Sequence, residues 1–422
     1  MESYRLVING GKKLEGKVKI SGAKNSALSI MAAALLTKDP CILKNIPRLS
    51  DVEIMIKVIR KLGVEIEWAG NDSLYINPDG FDNYEAPYEL VKMMRASFLV
   101  MGPLLARLKK AKISLPGGCA IGARPVDFHI KGFKAMGAKV EVEKGYIQAE
   151  AEELVGNDIY LDFPSLGATE NIMMAASLAK GTTKIENAAK DPEIVELGNY
   201  LVKMGANIKG LGSDLIRIKG VEELKGVNYA IIPDRIEAGT YIIAAAMTRG
   251  KVLVEDLNID LLKPLIVKLE KAGVKIIKHK NSLKVIGPER VDSVDIKTMP
   301  FPGFPTDLQP QIMAFACIAN GASVITETVF ENRFTHIGDL RRMGADIKVE
   351  GHSAIIKGVE RLSAAPVMAS DLRGGAALVL AGLVAEGITE LSRVYHIDRG
   401  YMNLENKLTA MGADIKRMKE QV

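Results

Sequence analysis

Leu340-Arg-Arg-Met-Gly344-Ala-Asp-Ile-Lys-Val-Glu350 is one of six versions of the same phrase in this 422-residue chain. The others are RKLGVEIEW (60–68), FKAMGAKVEVE (133–143), LVKMGANIKG (201–210), LEKAGVKII (269–277) and LTAMGADIKR (408–417). The glycine falls at 63, 137, 205, 273, 344 and 412, so the steps are 74, 68, 68, 71 and 68 residues. Each phrase reads as a helix end, a glycine cap and the entry into a strand. A regular step of this kind marks a fold assembled from copies of one unit. Upstream of several phrases lies a second pattern, an apolar helix rich in small residues, then a turn, then a strand. SALSIMAAALLTKDPCILKNI, NIMMAASLAKGTTKIENA, GTYIIAAAMTRGKVLVEDLN and AALVLAGLVAEGITELSRV show it. These helices are apolar nearly all round, which calls for burial. Strands such as TTKIENA alternate, which calls for half exposure.

The expected architecture is therefore α/β, with buried helices under outer sheets. Six units divide as three and three, with the break near Tyr229–Asp234. The expected domains are 22–231 for the first three units and 1–21 plus 232–422 for the last three. The N-terminal stretch YRLVINGGKKLEGKVKI would then pair with the second half. Two connections between the halves would make a hinge beside a ligand cleft. A solenoid also repeats, but its polar capping units are missing and the period is long for one.

Composition narrows the function. Hydrophobic residues make up 48% and charged residues 25%, with a formal net charge of +5. No apolar run reaches the roughly 18 residues of a membrane span. MESYRLVINGGKKLEG lacks the apolar core of a signal peptide. Three cysteines, Cys41, Cys119 and Cys317, do not form a disulfide framework, and a reducing cytoplasm is the expectation. No basic block with interleaved aromatics suggests nucleic acid. The five histidines are scattered without metal-ligand spacing, so neither a metal nor another cofactor is expected.

Several stretches carry chemistry. Ser114-Leu-Pro-Gly-Gly-Cys119-Ala-Ile-Gly-Ala-Arg124 reads as a glycine loop presenting a thiol, then a guanidinium. Nearby positive charge favours a reactive thiolate; a small buried hydrophobe is the other reading of a lone cysteine. Ser21-Gly-Ala-Lys24-Asn25-Ser26 opens a buried helix, where exposed N–H groups and a lysine suit an anion, unless Ser21 simply caps it. Arg95, in Lys92-Met-Met-Arg95-Ala-Ser97, stands at the start of another apolar helix, where the dipole disfavours a cation. An anionic ligand explains that, and so does solvation of the side chain. Pro300-Phe-Pro-Gly-Phe-Pro305-Thr-Asp307 sets Asp307 just ahead of a further helix, as an N-cap or as a general base. Arg333, Arg373 beside Asp371, and Arg399 each stand at an element end. Each alone reads as a surface ion pair; together with Lys24, Arg95 and Arg124 they read as a cationic cleft for anionic substrates.

SGAKNS, MRAS, PGGCAIGARPVDFH, PGFPTDLQP, FENRF, DLRGGAAL and HIDRGY, in this order, resemble the UDP-N-acetylglucosamine 1-carboxyvinyltransferases along the whole chain. The resemblance implies two inside-out α/β barrel domains of three repeats each. It implies transfer of enolpyruvyl from phosphoenolpyruvate to the 3-hydroxyl of UDP-N-acetylglucosamine with release of phosphate, the first committed step of peptidoglycan synthesis. It also implies roles by position. Cys119, on a lid loop over 113–124, is the proton donor and a site of covalent modification. Asp307 is the base. Lys24, Asn25, Arg124 and Arg399 meet phosphoenolpyruvate. Asn25, Arg95, Asp307, the Val329 backbone and the run Arg124, Pro125, Val126, Asp127 and Phe128 meet the sugar nucleotide. Asp371 and Arg373 support the lid region, and Arg333 adds to the cationic set. Where many members carry a lysine near the diphosphate, this chain has Phe163. That leaves the backbone around Ser165, Leu166 and Gly167 to bind there.

Three rivals are weighed against this. The sister transferase acting on shikimate 3-phosphate has a glycine- and threonine-rich N-terminal motif that is absent here. A non-catalytic paralogue would lack Cys119 or Asp307. An RNA-end-processing relative would need a catalytic histidine and a basic groove.

Overall fold

The computed structural model describes residues 4–115 and 126–420. The chain divides into two compact units, one of residues 22–115 and 126–232, the other of residues 4–21 and 233–420. Among the described residues the strands form six four-stranded sheets.

The repeated phrase does what its residues require. Its six glycines have φ between 85° and 112°. Each follows an amphipathic helix: Ser50–Lys61, Asp127–Ala135, Pro192–Met204, Lys263–Lys271, Ile337–Arg342 and Leu404–Ala410. Each leads into an outer strand, as Gly344 leads into Asp346–Glu350. A left-handed residue ends the helix and turns the chain, and only glycine adopts that conformation without cost. Gly205, at φ 112°, has open space where a side chain would begin. Gly205→Ala is therefore expected to cost about 1–2 kcal/mol from backbone strain alone. Urea denaturation measures this, as a lower midpoint with an unchanged slope.

The second pattern supplies the interior. In the second unit the helices Arg235–Met247, Gln309–Cys317 and Leu372–Val384 pack on one another and are buried along nearly their whole length. In the first, Lys24–Ala33 and Leu166–Ala176 are buried likewise, and Met101–Leu108 packs on the latter. The following strands lie over these helices with one face inward. Thr182–Glu186 buries Thr183 and Ile185 and leaves Thr182 and Glu186 exposed.

All six sheets share a plan. A short edge strand runs parallel to the strand that follows the inner helix, and two antiparallel strands complete the sheet, a hairpin in five of the six. Ile296–Lys297, Ala322–Thr326, Ser353–Lys357 and Asp346–Glu350 lie in that order. Two sheets borrow strands from the start of the chain. Tyr4–Asn9 pairs with Ile388–Ser392 and Asp414–Lys419, and Glu15–Lys19 runs parallel to Lys251–Glu255. The expected pairing of the N-terminal stretch with the second half is thus present. Conversely, Asn228–Ala230 completes the sheet of Cys41–Lys44 in the first unit.

One expected helix differs. Lys92–Ser97 does not begin an α-helix. Arg95–Val100 is a 3₁₀ turn, and the α-helix starts at Met101. Pro103 explains the start: inside the first turn its missing N–H breaks no helical bond. None of the described helices is long and apolar enough to cross a membrane.

Candidate active site

Asp307 lies in the 3₁₀ turn Thr306–Leu308, directly ahead of Gln309–Cys317, whose first turn carries Pro310. It does not cap that helix. Its carboxylate instead receives two guanidinium groups. Arg333 Nη2 is 2.8 Å from Oδ1, and Arg373 reaches Oδ2 with Nε at 3.2 Å and Nη2 at 3.1 Å. Both arginines are buried, at 3% and 2% side-chain exposure, while the Asp307 side chain is 28% exposed. The alternative of surface ion pairs at Arg333 and Arg373 is therefore excluded: both guanidinium groups are buried, and only the carboxylate they share is partly exposed. Both oxygens of Asp307 thus accept charge-assisted bonds from guanidinium groups.

The supports of this group can be traced. Asp371 caps Leu372–Val384: its Oδ1 accepts from the backbone N–H of Arg373 and of Gly374, each at 3.0 Å. Oδ2 accepts from Thr335 Oγ1 at 3.0 Å and Ser370 Oγ at 3.1 Å. Burial opposes the Asp371 charge, but these donors, with His336 and Arg333 nearby, outweigh it and hold its pKa below the usual carboxylate value. Asp371 thus fixes the helix start from which Arg373 reaches Asp307. The Arg373 guanidinium also lies 5.3 Å from the centre of the Tyr401 ring.

Arg333 is fixed through Thr306, whose hydroxyl accepts from Nη1 at 2.9 Å and donates to Glu327 Oε2 at 2.9 Å. Glu327 Oε1 accepts from Thr298 Oγ1 at 2.8 Å and from the backbone N–H of Val329 and Phe330 at 2.8 and 3.2 Å. The Val329 N–H is therefore engaged inside the unit. Glu327 is buried and organises this corner, yet nothing in its spacing singles it out from sequence. Arg399 ends the 3₁₀ turn Val394–Arg399 and is half-buried. Its neighbour Asp398 pairs with Arg417 at 2.6 Å.

In the first unit, Lys24 is the first residue of its helix, and the cap position, Ala23, offers no side-chain bond. Capping by Ser21 does not occur. Ser21 donates its N–H to Glu237 Oε2 at 2.7 Å, and its hydroxyl accepts from Lys407 at 2.7 Å. Lys24 Nζ stands 3.4 Å from Asp51 Oδ2, and both side chains are largely buried. Asn25 is half-buried beside it, and so is Arg95 at the head of its 3₁₀ turn. Val126 is buried, Asp127 exposed and Phe128 half-buried at the start of Asp127–Ala135. Phe163 is 39% exposed and brings no charge. Asp162 beside it pairs with Lys131 at 2.9 Å. Ser165 caps Leu166–Ala176 by accepting from the N–H of Ala168 at 3.4 Å, with Leu166 and Gly167 half-buried in the first turn. Cys119, Arg124 and Pro125, with most of the 113–124 loop, lie outside the described residues. Among the described residues no three His, Cys, Asp or Glu side chains gather in a way that could hold a metal ion.

Comparison with known proteins places these groups in a lineage. Residues 8–408 match the family model of EPSP synthase (3-phosphoshikimate 1-carboxyvinyltransferase). The UDP-N-acetylglucosamine 1-carboxyvinyltransferase 1 of Caldanaerobacter subterraneus is 59% identical over 98% of this chain and 99% of its own. The UDP-N-acetylglucosamine 1-carboxyvinyltransferase 2 of Carboxydothermus hydrogenoformans is 56% identical over 99% of this chain and 100% of its own. Among solved structures, the Streptomyces tendae enolpyruvyl transferase NikO superposes with a TM-score of 0.90 at 24% identity, over 100% of both chains. EPSP synthase of Acinetobacter baumannii gives 0.77 at 19%, over 99% of this chain and 100% of that one. Both show the fold, the paired inside-out α/β arrangement. Full-length identity at this level, with the six-fold repeat and the Asp307 constellation, means that the chain belongs to the enolpyruvyl transferase family and, within it, to the UDP-N-acetylglucosamine 1-carboxyvinyltransferases.

Proposed function

We infer that the chain transfers enolpyruvyl from phosphoenolpyruvate to the 3-hydroxyl of UDP-N-acetylglucosamine. The observation that carries the assignment of roles is the Asp307 carboxylate fixed between Arg333 and Arg373. The 3-hydroxyl gives its proton to Asp307 as its oxygen bonds to C2 of phosphoenolpyruvate. C3 takes a proton from Cys119 and becomes a methyl group. In the second step the C2–O bond to phosphate breaks, the methyl group gives back a proton, and the vinyl ether forms. Charge on the carboxylate and phosphate is met by the cations Lys24, Arg124 and Arg399. Asn25, Arg95, Val126, Asp127, Phe128, the Val329 backbone and the Ser165–Gly167 turn hold the sugar nucleotide, and Pro125 belongs to the same run.

The same reading places the chain in the cytoplasm, at the first committed step of peptidoglycan synthesis, with consequences for cell shape and division. It also makes Cys119 the site of a pyruvate adduct and the target of fosfomycin. The test is phosphate release. Purified protein should release phosphate when given both phosphoenolpyruvate and UDP-N-acetylglucosamine, and not with either alone. Release only when shikimate 3-phosphate is the acceptor would transfer the chain to the sister activity.

A further inference from the structure

Asn171 is completely buried in Leu166–Ala176, and its side-chain amide joins three segments of the first unit. Oδ1 accepts from the backbone N–H of Gly102 at 2.8 Å. Nδ2 donates to the carbonyl of Phe98 at 3.0 Å and lies 3.0 Å from Nδ1 of His129. The two backbone groups fix the amide's orientation, since Gly102 N–H can only donate and Phe98 C=O can only accept. Nδ2 must then be the donor toward His129, so the Nδ1 lone pair accepts and the neutral ring carries its proton on Nε2. That ring edge lies over Gly167, where an added Cβ would meet Cε1 at 3.4 Å and Nε2 at 3.5 Å. The Phe98 ring stands edge-on to the imidazole at 4.9 Å. Gly102 permits the approach, because a Cβ there would fall 2.9 Å from Asn171 Oδ1 and 2.6 Å from its carbonyl oxygen. Burial, and then the charge of Arg95, push the His129 pKa down to about 3, so the ring stays neutral near pH 7.

The three segments joined in this way are the Arg95–Val100 turn with the start of Met101–Leu108 that continues it, the start of Asp127–Ala135 and the first turns of Leu166–Ala176. Each carries residues assigned above to the sugar nucleotide: Arg95; Val126, Asp127 and Phe128; Ser165 to Gly167. We propose that Asn171 and His129 are positioning residues that lock these three segments in the register required to bind UDP-N-acetylglucosamine. The proposal rests on the functional reading above. Neither residue needs to touch the ligand. One amide and one imidazole tautomer set the distance between segments up to 73 residues apart in sequence.

Asn171→Asp tests it with little change of volume. The carboxylate can still accept from Gly102, but it cannot donate to Phe98, and it requires a donor from His129. The His129 proton should therefore move to Nδ1, or the ring should become doubly protonated. In 15N-histidine-labelled protein, the unprotonated Nδ1 resonance of the parent should disappear in the variant. KM for UDP-N-acetylglucosamine should rise about tenfold, the worth of one to two lost hydrogen bonds. kcat and KM for phosphoenolpyruvate should stay within about twofold, because Asp307 with its arginines, Lys24 and Arg399 all stand on elements other than the three that Asn171 joins. Asn171→Leu, which removes all three bonds, should raise the sugar-nucleotide KM further if it folds; the aspartate variant decides the matter if it does not. Equal effects on both KM values and on kcat would show a merely structural role and overturn the proposal. So would an unchanged sugar-nucleotide KM, or a parent whose Nδ1 carries the proton. A parent inactive with UDP-N-acetylglucosamine would overturn the functional reading, and with it the ligand named here. An active parent with an unresponsive variant would overturn only the positioning role.

Discussion

Asp307→Asn should lower kcat by about 10²–10⁴-fold, the usual worth of a positioned general base. The substitution keeps size and shape. It removes the negative charge and turns one acceptor into an NH₂ group that must face Arg333 or Arg373. Both arginines are buried, and both direct their N–H groups at the carboxylate from 2.8 to 3.2 Å. The variant therefore also leaves two interior cations without their shared counter-charge, and some loss of thermal stability should accompany the loss of rate. The two effects separate by measurement. KM for UDP-N-acetylglucosamine should change far less than kcat, and the variant should unfold in a single transition at lower temperature. A kcat within a few-fold of the parent, in protein shown to be folded, would remove Asp307 from the role of base.

The second large effect concerns thiol selectivity. Native protein treated with an epoxide phosphonate should take up one adduct, on Cys119, while Cys41 and Cys317 react only after unfolding. Cys317 closes the helix Gln309–Cys317 and is fully buried, and burial pushes its thiol pKa up to about 12. At pH 8 only about one such thiol in 10⁴ is ionised, and the thiolate is the nucleophile. Cys41 is also fully buried. Burial raises its pKa, although the Tyr200 hydroxyl, donating to its sulfur at 3.4 Å, works the other way. Cys119 sits among glycines five residues before Arg124, in a sequence that favours exposure and thiolate. Cys119→Ser should abolish the adduct and sharply impair turnover, because a hydroxyl is a far weaker acid than a thiol near neutral pH. Peptide mapping decides. An adduct on Cys41 or Cys317 in folded protein, or none on Cys119, contradicts the assignment.

What the sequence determined by itself was the repeating frame. A helix end, a glycine at positive φ and an outward strand are local events, set within about ten residues by backbone sterics and periodicity. Six copies at near-constant spacing therefore make the repeated helix–strand units and their division into three and three legible, but not the strand order within each sheet. So do the apolar helices, which are too uniform to face water. The chemistry-bearing residue types are legible as well, because lysine, arginine, aspartate and cysteine at the ends of apolar elements need a reason to be there. What those residues touch was decided only by the tertiary structure. Asp307 reads equally as a cap, and Arg373 as a surface cation, until packing brings together positions 66 residues apart. The buried Glu327 that engages the Val329 N–H has no sequence signature, and neither does the amide of Asn171. The 3₁₀ turn at Arg95 was missed because Pro103, in the first turn of the helix that starts at Met101, lies eight residues beyond Arg95, the expected start. Periodicity measures how a residue sits on its own element. Which partner it meets depends on how elements from distant repeats close around a shared core, and no local pattern encodes that.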